Sequence, residues 1–230
     1  MFRRKPNNFK VGTEMKKRSK KILYTGVCFI AAFILWTVLV CLADVQNVGP
    51  RGSFVGFATV NEGFHNITGV HMSLYTVTDW LGLVPFAIAF GFAILGFIQL
   101  CKRKSVFKVD RSILALGGFY IAVMLVYVFF EYAVINYRPV LISGYLEASY
   151  PSSTTMLAAC VMPTCSMELN RRIKSKKIRV GVFAVIYGFT AFMVIGRLIS
   201  GVHWLSDIIG GMLISTGLVL LYRFFAFNGE

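Results

Sequence analysis

Long apolar runs, separated by short polar and basic stretches, set the pattern of this chain. Six of them reach or approach the ~20 residues that a helix needs to cross a bilayer: Ile22–Ala43, Trp80–Leu100, Ser112–Ile135, Thr154–Leu169, Val180–Ile199 and Leu205–Phe227. Inside hydrocarbon a segment must satisfy its own backbone donors and acceptors, so runs of this length read as helices. The predicted fold is therefore all-α, a polytopic bundle of six transmembrane helices. The fourth run is short and holds Pro163, which predicts a kink. The first is longer than the apolar part of a cleaved signal peptide and no small-x-small site follows it, so it reads as a retained span.

Charge orients the bundle. Of 24 Lys and Arg residues, 21 lie in the tail 1–21, in the loops 101–111 and 170–179, and at Arg223. The positive-inside rule makes that side cytoplasmic. Both termini then lie inside, and residues 44–79, 136–153 and 200–204 face outward. The chain divides into a basic tail, 1–21, and one membrane domain, 22–230. A composition that is 57% hydrophobic excludes a soluble globule of this size. The net charge of +14 does not indicate nucleic-acid binding, because membrane-length runs interrupt the basic clusters. The pattern suits the plasma (inner) membrane of a bacterium. Cys28, Cys41, Cys101, Cys160 and Cys165 show neither metal-ligand spacing nor a disulfide framework and read as small buried thiols. The longest outer segment, 44–79, is expected to fold over the outer mouth as a lid or re-entrant piece.

Three arginines, Arg51, Arg138 and Arg197, stand outside the cytoplasmic clusters and need another reason to exist. Two of them join a polar set at the outer helix ends: Tyr137-Arg138-Pro139, then Ser149-Tyr150-Pro151-Ser152-Ser153-Thr154-Thr155, then Gly196-Arg197 followed by His203 and Asp207. His203 and Asp207 are four apart, so at a helix start they share a face and the carboxylate is expected to reach one ring nitrogen. That would fix the tautomer and leave the other nitrogen free as a nucleophile. Arg138 and Arg197 can clamp a phosphate. Ser152, Ser153 and Thr154 read as a helix start, with free N–H groups and hydroxyls for an anion. Taken singly, each residue has a plainer role: an interfacial histidine, a snorkelling arginine, a helix cap.

Together these residues resemble the PAP2 (type 2 phosphatidic acid phosphatase) superfamily, whose pattern is K-x6-R-P, P-S-G-H and S-R-x5-H-x3-D. Arg138-Pro139, Pro151-Ser152, and Arg197, His203 and Asp207 match it, within the motif core 131–211. The resemblance implies a membrane lipid phosphatase or phosphotransferase. His203 would form a phosphohistidine and Asp207 would orient it. Arg197, Arg138 and the Ser152–Thr154 region would hold phosphate oxygens. The reaction would need no metal or other cofactor. Three positions depart from the pattern. Glu131 stands for the lysine, Ser153 and Thr154 for the second-motif glycine and histidine, and Gly196 for the serine. The missing histidine is the family's leaving-group acid, and loss of such an acid typically costs ~10²–10⁴ in rate.

Several readings stay open at this level. A diphosphate lipid expels phosphate and needs little protonation, so a polyprenyl diphosphate is one substrate and a phosphatidate-type lipid another. His65, His71 or Glu131 can be imagined as a replacement acid. A relative that binds a phospholipid without turnover, and a small transporter, are the competing functions. Oligomeric state is not encoded legibly.

Overall fold

The computed structural model describes residues 8–227, with side chains from Lys17 onward. Eight helices carry the chain: α1 (Asn8–Leu42), α2 (Ala58–Thr68), α3 (Met72–Leu81), α4 (Leu83–Arg103), α5 (Arg111–Tyr132), α6 (Ser153–Arg172), α7 (Lys176–Ile199) and α8 (Leu205–Phe227). Six are long, and they follow the six apolar runs. The all-α polytopic bundle expected from the sequence is the fold.

Among the described residues, five segments are long and apolar enough to cross a membrane: Ser19–Leu42, Met72–Arg103, Arg111–Tyr132, Lys176–Ile199 and Leu205–Phe227. The exception among the long helices is α6, and its position explains why. It packs against α8, α7, α4 and α5. Ala158, Ala159, Cys160, Thr164, Ser166 and Glu168 are all buried along it. A helix wrapped by protein meets no lipid, so it can afford small and polar side chains that let its neighbours approach closely. It runs through Pro163 as a single helix.

α1 begins at Asn8, while its apolar segment starts at Ser19, close to the boundary expected from the sequence. One boundary needs correction. The second span does not start at Trp80, because α3 and α4 meet at Gly82 in helical geometry and the apolar segment extends back to Met72.

Loops at one end of the bundle converge on the start of α8. The amide of Gly56 donates to Asn136 Oδ1 (3.2 Å), and the Arg51 guanidinium donates to the Gly144 carbonyl (2.9 Å). Asn61 on α2 donates to Ser206 Oγ (2.9 Å). The amide of His71 donates to the Ser200 carbonyl (3.0 Å). Gly201 has φ +68, and a Cβ there would stand 2.0 Å from the Gly69 carbonyl oxygen. Only glycine lets these two loops touch. From the side, α1 supports the same end: Trp36 Nε1 donates to the Ser206 carbonyl (3.1 Å), and Thr37 Oγ1 shares a hydrogen bond with the Tyr150 hydroxyl (2.7 Å). Residues 44–71 reach this end as α2 and its flanking turns, while the rest of the expected outer segment belongs to α3.

Candidate active site

Asp207 lies in the first turn of α8, where its Oδ2 accepts the backbone N–H of Trp204 (2.9 Å). That is the reciprocal bond of a capping box, and it satisfies a donor at the helix start. The carboxylate is fully buried and collects three further donors: Ser149 Oγ (2.5 Å), Asn136 Nδ2 (3.4 Å) and Ser206 Oγ (3.4 Å). Burial of a charge is tolerable only when it is hydrogen-bonded in this way.

The direct bond from Asp207 to His203 expected from the spacing is not made. His203 Nδ1 and Asp207 Oδ2 are 3.9 Å apart. Ser149 stands between them, 3.0 Å from Nδ1. Since the Ser149 hydroxyl donates to Asp207, it must accept from Nδ1–H. The chain His203 to Ser149 to Asp207 thereby fixes the tautomer and leaves a lone pair on Nε2. Nε2 is buried and has no partner among the described residues. Burial, and the positive charge of Arg138, push the His203 pKa down to about 4, so the ring is neutral at pH 7.

A cavity of roughly 220 Å³ opens beside the ring, lined by His203, Arg138, Ser153, Glu131, Glu147 and aromatic side chains of α5. Arg138 follows α5, on a short hairpin closed by the bridge of Tyr137 with Ala148. Its Nε is 3.2 Å from Glu147 Oε2, yet neither Nε nor Nη1 makes a hydrogen bond.

Arg197, near the end of α7, is 1% exposed. Its Nη2 donates to Asp79 Oδ1 (2.8 Å) and Thr154 Oγ1 (2.7 Å), while Nε is unpartnered. The Tyr75 ring on α3 joins the two cations, its centroid 4.9 Å from the Arg197 guanidinium carbon and 5.9 Å from that of Arg138. α6 starts at Ser153 with Ser152 as its N-cap, and the Ser152 hydroxyl is buried without a partner.

Orphaned buried donors are costly, typically ~1–3 kcal/mol each. Arg138 presents two of them, Nε and Nη1, on the wall of the cavity that His203 also lines. Residues 126–229 match the sequence model of the PAP2 superfamily. The fold is also similar to a solved structure, the first transmembrane PAP2-type phosphatidylglycerolphosphate phosphatase from Bacillus subtilis. The TM-score is 0.54 at 19% sequence identity, with 87% of this chain and 94% of that chain covered. At that identity the likeness is one of fold. No curated protein sequence matches the chain.

The PAP2 pattern can now be set against the geometry. Arg138, Ser153 and His203 share the cavity. Asp207 is behind His203, and Arg197 and Thr154 are hydrogen-bonded to each other beside Asp79. Glu131, in place of the lysine, does line the cavity. The two other acids considered do not. His65 packs on Trp204 with ring centroids 5.5 Å apart, and His71 Nε2 faces the Thr68 carbonyl at 2.9 Å.

Four residues escaped the sequence reading: Ser149, Glu147, Asp79 and Tyr75. Ser149 was visible only as a polar neighbour of Pro151. The others come from the hairpin and from α3, where no spacing ties them to the motifs.

Proposed function

We propose that this protein is an integral-membrane lipid phosphatase or phosphotransferase that works through His203 at the extracytoplasmic face. The supporting observation is the unpartnered, neutral Nε2 beside the unpartnered Nε and Nη1 of Arg138.

In this reading Nε2 attacks phosphorus, the P–O bond to the lipid breaks, and a phosphohistidine forms. Nδ1–H stays on Ser149, whose bond to Asp207 stabilises the positive ring. Arg138 and the free Nε of Arg197 take the charge that gathers on the phosphoryl oxygens, the kind of electrostatic help that usually contributes most. Water, or another acceptor, then takes the phosphoryl group from His203. Thr154, whose hydroxyl accepts from Arg197, does not serve as the acid, because a hydroxyl is too weak an acid near neutral pH. The substrate is a phosphorylated or diphosphorylated lipid.

The test is to mix purified protein with lipid phosphates labelled with ³²P and quench in alkali within seconds. Label should remain on the protein and vanish in His203→Ala, together with phosphate release from a lipid panel. Label that persists in His203→Ala would refute the assignment. A second reading, a relative that binds phospholipid without turnover, draws on the engaged Thr154 hydroxyl and on Glu131. It predicts binding with no release from any lipid.

A further inference from the structure

Two of the departures from the PAP2 pattern, Gly196 and Thr154, meet the same neighbour. Helix α3 packs on α7, the helix that carries Arg197. A Cβ on Gly196 would stand 2.8 Å from Thr78 Cγ2, well inside the ~3.5–4.0 Å at which carbon atoms pack. Any side chain at 196 therefore holds α3 off. Where α3 passes into α4, a Cβ on Gly82 would stand 3.6 Å from Thr154 Cγ2. Thr154 keeps a small side chain beside that junction, at the position where the family carries an imidazole.

What α3 brings is a set of acceptors for Arg197. Nη1 donates to the Tyr75 carbonyl and the Thr78 hydroxyl, each at 3.4 Å. Nη2 donates to Asp79 Oδ1 (2.8 Å) and Thr154 Oγ1 (2.7 Å). A guanidinium has five N–H donors, four of them on its two Nη atoms. All four are engaged, and the buried Nε–H is left over. Arg197 thus presents one N–H to an anion, not the paired edge of a bidentate clamp. Asp79 is half-exposed, whereas Arg197 is 1% exposed. An aspartate in water has no need of a partner, but a buried guanidinium does, so the pair serves Arg197.

We infer that Asp79 is a positioning residue of the site. By taking Nη2 it fixes which N–H of Arg197 is offered to the phosphoryl group, and the small residues at 196 and 154 are what let α3 reach it. This rests on the phosphatase reading above. The PAP2 pattern begins at Glu131 in this chain and contains no residue of α3, so Asp79 is an addition to it. Asp79 acts only through Arg197 and touches no reacting atom.

The experiment measures two quantities on purified protein: affinity for orthovanadate, a mimic of the phosphoryl transition state, and phosphate release from a lipid panel. Asp79→Ala should weaken vanadate binding and lower kcat/KM by roughly tenfold each, as loss of an outer partner does. Asp79→Asn keeps an acceptor and should fall in between, and it carries the comparison if the alanine variant does not fold. The same change made in Arg197→Ala should have almost no further effect, because a residue that works through Arg197 is silent without it. Gly196→Ala should weaken vanadate binding too, and adding Thr78→Ser, which removes the clashing methyl and keeps the hydroxyl, should restore it. That pair decides alone where Arg197→Ala binds too weakly to be read. Equal losses from Asp79→Ala with and without Arg197, or a Gly196→Ala defect that Thr78→Ser leaves in place, would overturn the inference while phosphate release keeps the phosphatase reading intact. If no lipid is hydrolysed, the phosphatase reading fails and vanadate still decides: a loss that needs Arg197 supports the role of Asp79, and additive losses or no vanadate binding overturn it.

Discussion

The bundle buries polar clusters at both ends, and they differ in one respect. At the end away from the cavity, Glu168 is fully buried. Its Oε1 accepts from the Tyr222 hydroxyl (2.7 Å), its Oε2 pairs with Arg172, and Tyr120 and Thr164 share a hydrogen bond (3.3 Å) nearby. None of these side chains leaves a buried polar atom unpartnered. At the cavity end, His203, Arg138, Arg197, Ser152 and Thr155 all do. A closed network holds helices together, whereas an open one has valences to spend on a ligand. Polarity buried within a membrane protein is therefore not by itself a sign of function. The unspent donors are.

Mutations can break that contrast, and the largest effect belongs to His203, the proposed nucleophile. His203→Ala should lower phosphate release at least ~10⁴-fold while the thermal midpoint in detergent stays nearly unchanged, as losing a chemical participant does. Next comes Arg138→Ala, which removes donors aimed at the phosphate and should cost roughly 10²–10³ in kcat/KM. Ser149→Ala breaks the relay to Asp207 and should cost roughly 10–10², the range seen when an outer partner of a functional histidine is lost. The loss should fall on kcat with KM little changed, and Ser149→Thr should recover part of it, which simple destabilisation would not do.

At the opposite end the readouts should swap. Glu168→Gln keeps an acceptor for Tyr222 but removes the ion pair with Arg172, so it should cost about 1–3 kcal/mol of stability. Phosphate release per folded molecule should not change. The smallest effect is in the pH profile. Because burial holds the His203 pKa near 4, the ring stays neutral well below its ordinary pKa of 6.5. The acid limb that it imposes on activity should then lie near pH 4. The unfolded chain gains a proton on this ring at 6.5, so the stability the neutral ring contributes is present above that pH. It is lost as pH falls from there toward 4. An acid limb at 6.5 that persists in a substrate without a titrating phosphate, and so belongs to the ring, would show that the ring is more hydrated than its burial implies.

How much of this could be read in the residues depended on how local each feature is. Helix positions were legible for α1, α5, α7 and α8 because lipid contact demands apolar length. α6 was the weakest run for the opposite reason: it touches protein on every side, so Thr164, Ser166 and Glu168 are tolerated. Within the site, Arg197, His203 and Asp207 were legible through their fixed spacing along a single turn and helix. The serine that separates His203 from Asp207 was not, because it arrives from 54 residues away in sequence. Asp79 and Tyr75 reach Arg197 only because α3 packs on α7, a choice that no local pattern in the outer segment announces.

One contact has a consequence for how the molecule is made. α1 lies along α8 in the most extensive helix pairing of the bundle, so close that a Cβ on Gly217 would stand 2.6 Å from Ile30. The first of the described spans is therefore clasped by the last of them. Through Trp36 and Thr37, that clasp also props up Tyr150 and the start of α8. During synthesis the α8-facing side of α1 has no partner helix until α8 is made. Nascent chains arrested before Leu205 should hold five long helices and lack the cavity around His203, so the candidate site is completed in a single late step of assembly and not built up gradually.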